Sequence, residues 1–600
     1  MSTIRRLLPR VSIVVFAFLT MLSLTAGLTG ADPDGRWGLL RRAVFLVGTT
    51  GLLGTACLRL IRVLDRRLMA RGQFPGETVS ADPLTPSLAG PHRRWIGLTV
   101  GAGTVAVIAI TYVGLVSVWH WTWWPPTTTY YGMLGEAFTQ GRTYLPIEPA
   151  PGLADLQNPY ARGAWAQGNG LANLSYYRGR YYMYWGPAPA VALALVKMLG
   201  APTPGDQVVV FAAISLMFLF SSLVVIHLRR LYFQKMPQWL TIAGILIVAT
   251  IHPMLWFQNS PSILTAAIAG GQAFLLAGVY FMVRALTDRQ AGPSKYAATG
   301  ALWGLAVASR ITSVASVSVL VLGVAMVAFR RSGPVRGRKA VAVNLAWLLT
   351  SLGLVLGLYG WYNQIRFGSP VEFGTRYAFT EFDIGAGLER GTIFSLRYLI
   401  PNTLYYLLAP VRLISRFPFL RPVYYEYPLF TQLLTKVGVP AEHRVEDATG
   451  LVFAAPALLF AVTFARRWFY GEVPGMSRKD LPAVQGPDRT PADQRSLGLL
   501  MLLAGLAGAV PVFLFFYTTT RYEMDFVPLL AIVAVLGMWR FYEDTRPYPI
   551  QSRLATAAIT LIVTAGTLVS LLLAVSGAAS RFDDLNPRMY SLLVSFFPHW

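Results

Sequence analysis

Runs of about twenty apolar residues recur along this chain, each long enough to cross a hydrocarbon core of about 30 Å. No other feature narrows the possible folds as far. A backbone inside lipid must satisfy its own hydrogen bonds, so it spans as helices or as a closed barrel. Alternating strand patterns of the barrel kind are missing from the sequence. Hydropathy places spans near 11–28, 43–58, 95–119, 207–227, 238–256, 262–284, 296–309, 312–329, 340–361, 450–466, 498–517, 524–541 and 554–577. The expectation is an all-α polytopic membrane protein of about thirteen transmembrane helices.

Composition agrees, at 54% hydrophobic and 13% charged. The net charge of +23 does not point to nucleic acid, because the basic residues collect between the apolar runs. With the N-terminus inside, the inner loops hold Arg229, Arg230 and Lys235, then Arg284, Arg289 and Lys295, then Arg330, Arg331, Arg336, Arg338 and Lys339. The segments Arg466 to Arg495 and Arg540 to Arg553 are basic too, whereas the turns 257–261 and 518–520 carry no Lys or Arg. This arrangement predicts a cytoplasmic N-terminus, with two large loops and the C-terminus on the other face. Cys57, the single cysteine, permits no internal disulfide, and the six histidines show no metal-ligand spacing. No Walker loop or dinucleotide fingerprint is present.

Four regions follow. Residues 1–94 hold two N-terminal spans and a basic linker. Residues 95–361 form a transmembrane core with a first outer loop over 120–200. Residues 362–449 form a second outer loop, aromatic and proline-rich, predicted to carry short helices over a cavity. Residues 450–600 hold the C-terminal spans. Residues 186–200 are too short to span and read as a helix lying in the interface.

Within the first loop, Asn173 to Pro189 packs Tyr176, Tyr177, Tyr181, Tyr182, Tyr184, Trp185, Arg178 and Arg180 into seventeen residues. Rings with polar tips suit the headgroup boundary, and guanidinium groups bind oxyanions through paired hydrogen bonds. The stretch is either an anchoring belt or a surface for a lipid-linked, phosphorylated, ring-shaped substrate. Arg310 interrupts a long apolar stretch, which costs about 2.5–3.5 kcal/mol unless it has a partner, a function or a route to the interface. Arg521 binds phosphate or pairs with Glu523 and Asp525; Arg366 and Arg376 in the second loop could face the same cavity.

Several motifs stand in order: Thr129–Leu145, Leu156–Tyr160, Ser175–Pro187, Ala308–Thr312, Tyr362–Tyr377, Gly450–Pro456 and Arg521–Phe526. Together they resemble bacterial membrane glycosyltransferases of the GT-C superfamily, in the branch similar to dolichyl-phosphate-mannose–protein mannosyltransferases. The resemblance covers roughly residues 95–545. It implies a bacterial plasma-membrane enzyme that moves a sugar from a polyprenyl-phosphate donor to a glycan, lipid or protein hydroxyl, with inversion, on the outer face. It also implies a carboxylate base in the first loop and cations at the departing phosphate, a role open to Arg178, Arg180, Arg310, Arg376 and Arg521. The tyrosines and tryptophan named above would line the substrate.

Relatives often carry an acid just after the preceding span, or within Pro-Tyr-Asp and Asp-x-Ser-Tyr-Tyr. Here those places read Thr127–Thr129, Ala161 and Asn173. Of the remaining loop acids, Glu136 ranks first as base, Asp155 second, and Glu148 is the third present; each reads equally as a solvated surface acid. Some members use a divalent cation, although the acids here do not cluster, and no other cofactor is implied. The alternatives are a transporter or flippase of lipid-linked sugars and a catalytically silent partner in envelope assembly. A transporter would show intramembrane acids and matched, broken helices, which this chain lacks.

Overall fold

The computed structural model describes Val44 and residues 91–596, apart from 162, 201, 289–291, 332–334, 423–427, 471–490 and 578–580. The first two apolar runs and most of the linker lie outside the described residues. Two compact units are present, one ending at Trp124 and one running from Pro125 to Trp600. In the first, helix α1 (Pro91–Val116) ends in a tryptophan-rich turn where Val118, Trp119 and Trp121 have positive φ. The Trp119 and Trp121 rings meet edge-on at 5.4 Å.

The second unit is mostly helical, and the chain is a multi-pass membrane protein. Among the described residues, six helices are long and apolar enough to cross a membrane. They fall within α4 (Asp206–Tyr232), α6 (Ile263–Thr287), α8 (Ser313–Arg331), α9 (Val335–Phe367), α11 (Pro491–Phe513) and α13 (Pro549–Ser576). Before and between them lie α2 (Tyr130–Thr139), α3 (Ala188–Met198), α5 (Gln238–Thr250), α7 (Pro293–Val307), α10 (Ile384–Glu389) and α12 (Val527–Thr545). Helix α3 lies where hydropathy expected a non-spanning helix, and it exposes Val191, Leu195, Val196 and Met198.

Helix α6 is the centre of the unit, buried along most of its length and packed between α4 and α7. Its start is fixed by a capping box. Thr265 N donates to Ser262 Oγ at 3.4 Å, and Ser262 N donates to Thr265 Oγ1 at 2.8 Å. Small residues bring the backbones together, as is common in membranes. A Cβ on Gly278 would collide with the buried Trp303 indole of α7.

Strands are few and short. A hairpin pairs β1 (Ser175–Tyr177) with β2 (Arg180–Tyr182) around Arg178 and Gly179, whose φ values of 49° and 72° fit a two-residue hairpin turn. A parallel pair joins β3 (Arg444–Val445) to β4 (Tyr517–Thr518). The two large loops are stitched together. Ser175 bridges Ala378, Phe379 N donates to Leu174 O at 2.8 Å, and Asn173 N donates to Phe379 O at 2.7 Å.

Asp206, the first residue of α4, organises the start of the first loop. Its carboxylate accepts from Thr128 Oγ1 at 2.5 Å, Tyr131 N at 2.9 Å and Tyr130 N at 3.2 Å. It thereby satisfies free amides at the start of α2, which Thr129 leaves uncapped.

Candidate functional site

The loops and helix ends enclose a cavity of about 640 Å³, a volume typical of small-molecule sites. Most of the wall comes from the end of the aromatic stretch, the turn 309–312, second-loop residues 371–394 with Glu446, and residues 511–522, joined by Trp165, Asn173, Leu264 and Tyr359. Leu264, Ile311, Leu388, Val512, Phe515 and Phe516 make much of the wall apolar, and Arg310, Arg376 and Arg521 bring charge to it.

Arg310 sits in the turn between α7 and α8. That turn is clamped from the loop side, because Gly186 N donates to Ser309 O and Ala188 N to Ala308 O, each at 3.2 Å. A Cβ on Gly186 would collide with the Ala308 carbonyl, so the approach requires glycine here. The clamp sets Trp185 beside Arg310, with the guanidinium carbon 5.5 Å from the indole centroid and 5.1 Å from the Tyr522 ring. Asp525 grips two nitrogens of the guanidinium, with Nη2 2.7 Å from Oδ2. Burial works against this charge, but Asp525 more than offsets it and raises the Arg310 pKa. Nη1 makes no hydrogen bond to a described residue.

Arg521 donates to Glu446, which the β3–β4 pairing brings alongside. Burial opposes this cation too, and Glu446 with the Tyr522 and Tyr517 phenols outweighs it. Its sequence neighbours Glu523 and Asp525 are not its partners. Asp525 belongs to Arg310, and Glu523 is buried with its nearer carboxylate oxygen 3.6 Å from His252 Nε2. Arg376, half-exposed at 51%, pairs with Glu372 at 2.8 Å. Arg366 is turned elsewhere, donating to Asn363 Oδ1 at 2.6 Å over the Tyr362 ring.

The aromatic stretch divides in two. Tyr184 and Trp185 line the cavity. Tyr176 and Tyr181 instead surround the fully buried Phe379 of the second loop, together with Tyr160 and Trp165. Tyr177 and Tyr182 pack on Phe367 at 5.6 Å and 5.3 Å. These four rings form the glue between the loops. Arg178 and Arg180 stand exposed at the hairpin tip, over Tyr177 at 5.1 Å and Tyr144 at 4.3 Å, and do not line the cavity.

Nor do the first-loop acids line it. Glu136 accepts from Thr203 Oγ1 at 2.8 Å and lies 3.8 Å from Lys197, tying α2 to the end of α3. Asp155 is exposed on the surface. The carboxylates on the cavity are Glu372, Glu381 and Glu446, all from the second loop. A search for acids confined to the first loop passes over them. The sequence signalled that Arg310 needs a partner, without singling out Asp525. Among the described residues, no three His, Cys, Asp or Glu side chains gather as a metal site.

The arrangement offers cations for an oxyanion, aromatic faces for a sugar ring and apolar wall for a hydrocarbon chain. Among solved structures, the chain is similar to the Archaeoglobus fulgidus oligosaccharyltransferase in its apo form, with a TM-score of 0.43 and 13% identity over 81% of this chain and 57% of that one. It is also similar to the archaeal oligosaccharyltransferase AglB from the same organism in complex with an inhibitory peptide and a dolichol-phosphate, with a TM-score of 0.39 and 14% identity over 80% of this chain and 56% of that one. ArnT from Cupriavidus metallidurans in the apo state gives a TM-score of 0.37 and 11% identity over 82% of this chain and 77% of that one. The chain spans little more than half the length of the oligosaccharyltransferase. No family model matches the chain, and no curated protein matches it.

Proposed function

We propose that this protein is a membrane glycosyltransferase that moves a sugar from a polyprenyl-phosphate donor to an acceptor hydroxyl on the non-cytoplasmic face. The observation that carries the reading is the cavity wall shared by Arg310, Arg521, Trp185 and Tyr522, bordered by apolar side chains. Both guanidiniums are braced by carboxylates, yet Nη1 of Arg310 and Nε and Nη2 of Arg521 make no hydrogen bond to a described residue. Fixed donors of this kind stabilise a departing phosphate without reorganising during the reaction. The sugar ring lies against Trp185 or Tyr184, and the prenyl chain leaves along the apolar wall. A single displacement at the anomeric carbon inverts its configuration.

The test uses purified full-length protein and undecaprenyl-phosphate-linked mannose, glucose, galactose and arabinose, with membrane extract as the source of acceptor. The expected result is release of undecaprenyl phosphate from one donor, falling at least tenfold in Arg310→Gln. Binding of a donor without release would instead favour a carrier or a silent assembly partner.

A further inference from the structure

Three carboxylates face the cavity, and they are not equivalent. Glu372 is held by Arg376 Nε at 2.8 Å on one oxygen and by Gly374 N at 2.8 Å on the other. Glu446 is committed to Arg521. Both carboxylates are thus already occupied by a guanidinium of this chain. The Glu381 carboxylate takes no hydrogen bond or ion pair from any described residue, and it is open to the cavity.

Its position is nonetheless fixed. The backbone before it is bound to the first loop at Asn173, Leu174 and Ser175, and both Asn173 and Glu381 line the cavity. Thr380 O accepts from Trp165 Nε1 at 2.9 Å, and Thr380 Oγ1 donates to Phe382 O at 2.5 Å, so the chain is pinned on both sides of Glu381. The next residue, Phe382, packs on Tyr517 at 5.7 Å, and Tyr517 in turn lies 5.8 Å from the Arg521 guanidinium. A free carboxylate on a pinned segment therefore lines the same cavity as the cation assigned to the phosphate.

We propose that Glu381, set on the cavity by the pairing of the two loops, is the general base of the transfer reaction, an assignment that rests on the glycosyltransferase reading above. The acceptor oxygen forms a bond to the anomeric carbon while its proton passes to a Glu381 oxygen. The bond from the anomeric carbon to the phosphate oxygen breaks, and its electron pair leaves with polyprenyl phosphate beside Arg310 and Arg521. A general base of this kind contributes about 10²–10⁴-fold to the rate.

The experiment compares the wild type with Glu381→Gln, Glu381→Asp and Glu389→Gln, the last an exposed acid of the same loop that does not line the cavity. Each full-length protein is assayed for turnover of the donor the wild type uses, for undecaprenyl phosphate binding and for its pH–rate profile. Glu381→Gln is expected to lose about 10²-fold or more in kcat, to bind undecaprenyl phosphate within about twofold of wild type, and to lose the acidic limb of the profile. Glu381→Asp keeps that limb with reduced rate, and Glu389→Gln matches the wild type. Turnover in Glu381→Gln within about threefold of wild type, a loss that follows binding, or an acidic limb that survives would each overturn the assignment while leaving the glycosyltransferase reading intact. A wild type that turns over none of the donors overturns both.

Discussion

Arg310 and Asp525 lie 215 positions apart in the chain and meet as a forked ion pair, with Nε 2.9 Å and 3.0 Å from the two carboxylate oxygens. The pair joins the turn before α8 to the turn before α12, so it fixes two walls of the cavity at once. Removing one partner of a buried pair leaves the other charge uncompensated, which costs about 3–5 kcal/mol. Asp525→Asn should therefore lower the thermal unfolding midpoint in detergent markedly. Arg310→Met combined with Asp525→Leu should recover most of that loss yet fail to bind undecaprenyl phosphate. An unchanged midpoint in Asp525→Asn would mean that the pair contributes little to stability.

Gly186→Ala tests the clamp on that turn. The added methyl meets backbone, which must move, at a cost of about 1–3 kcal/mol. Because Trp185 and Arg310 move with it, donor turnover should fall more than tenfold. Gly179→Ala at the hairpin tip meets nothing within 4 Å and is strained only by its φ of 72°. It should cost about 1–2 kcal/mol of stability and leave turnover intact.

The cations separate by position. Arg521→Gln removes a donor from the cavity wall and should weaken undecaprenyl phosphate binding at least tenfold, measured by titration into detergent-solubilised protein. Arg178→Gln and Arg180→Gln act at an exposed tip outside the cavity, so binding should stay within about twofold, as expected for screened surface charge.

His443 gives a pH signature. Its Nε2 lies 2.9 Å from Asn402 Oδ1 and 3.0 Å from Thr518 Oγ1, and burial, then Arg444, pushes its pKa from 6.5 down to about 4. The unfolded chain binds this proton more readily, so the contribution to stability is complete above about pH 6.5 and is lost as the pH falls toward about 4. Its size is on the order of 3 kcal/mol. The gap in unfolding midpoint between wild type and His443→Gln should narrow between pH 7.5 and pH 4.5; a constant gap would refute the buried neutral imidazole.

Helices were legible because apolar length is a local property, and α4, α6, α8 and α9 fall within a few residues of the hydropathy spans. Arg310 was legible as well, since a lone cation in an apolar run is costly whatever surrounds it. Its partner was not, because the sequence offers several acids and only the packing of α6 against α7 and the 520–525 turn selects Asp525. The aromatic stretch misled in part. Period-two alternation in the β1–β2 hairpin sends successive tyrosines to different neighbours, and Phe379, which gathers them, is about two hundred residues away. Cavity acids escaped for the same reason, being near the site in space and distant from it in sequence.

Ser175 donates to Gly374 O across 199 positions, and the strand bridge to Ala378 lies beside that contact. During synthesis, the first loop is complete long before its partner exists. Its tyrosines wait uncovered while α4 to α9 are still being made and inserted, and the wall at Arg521 arrives later still. The cavity is thus among the last parts of the molecule to form, and a truncated chain ending before residue 378 carries a sticky half-interface instead of half a cavity.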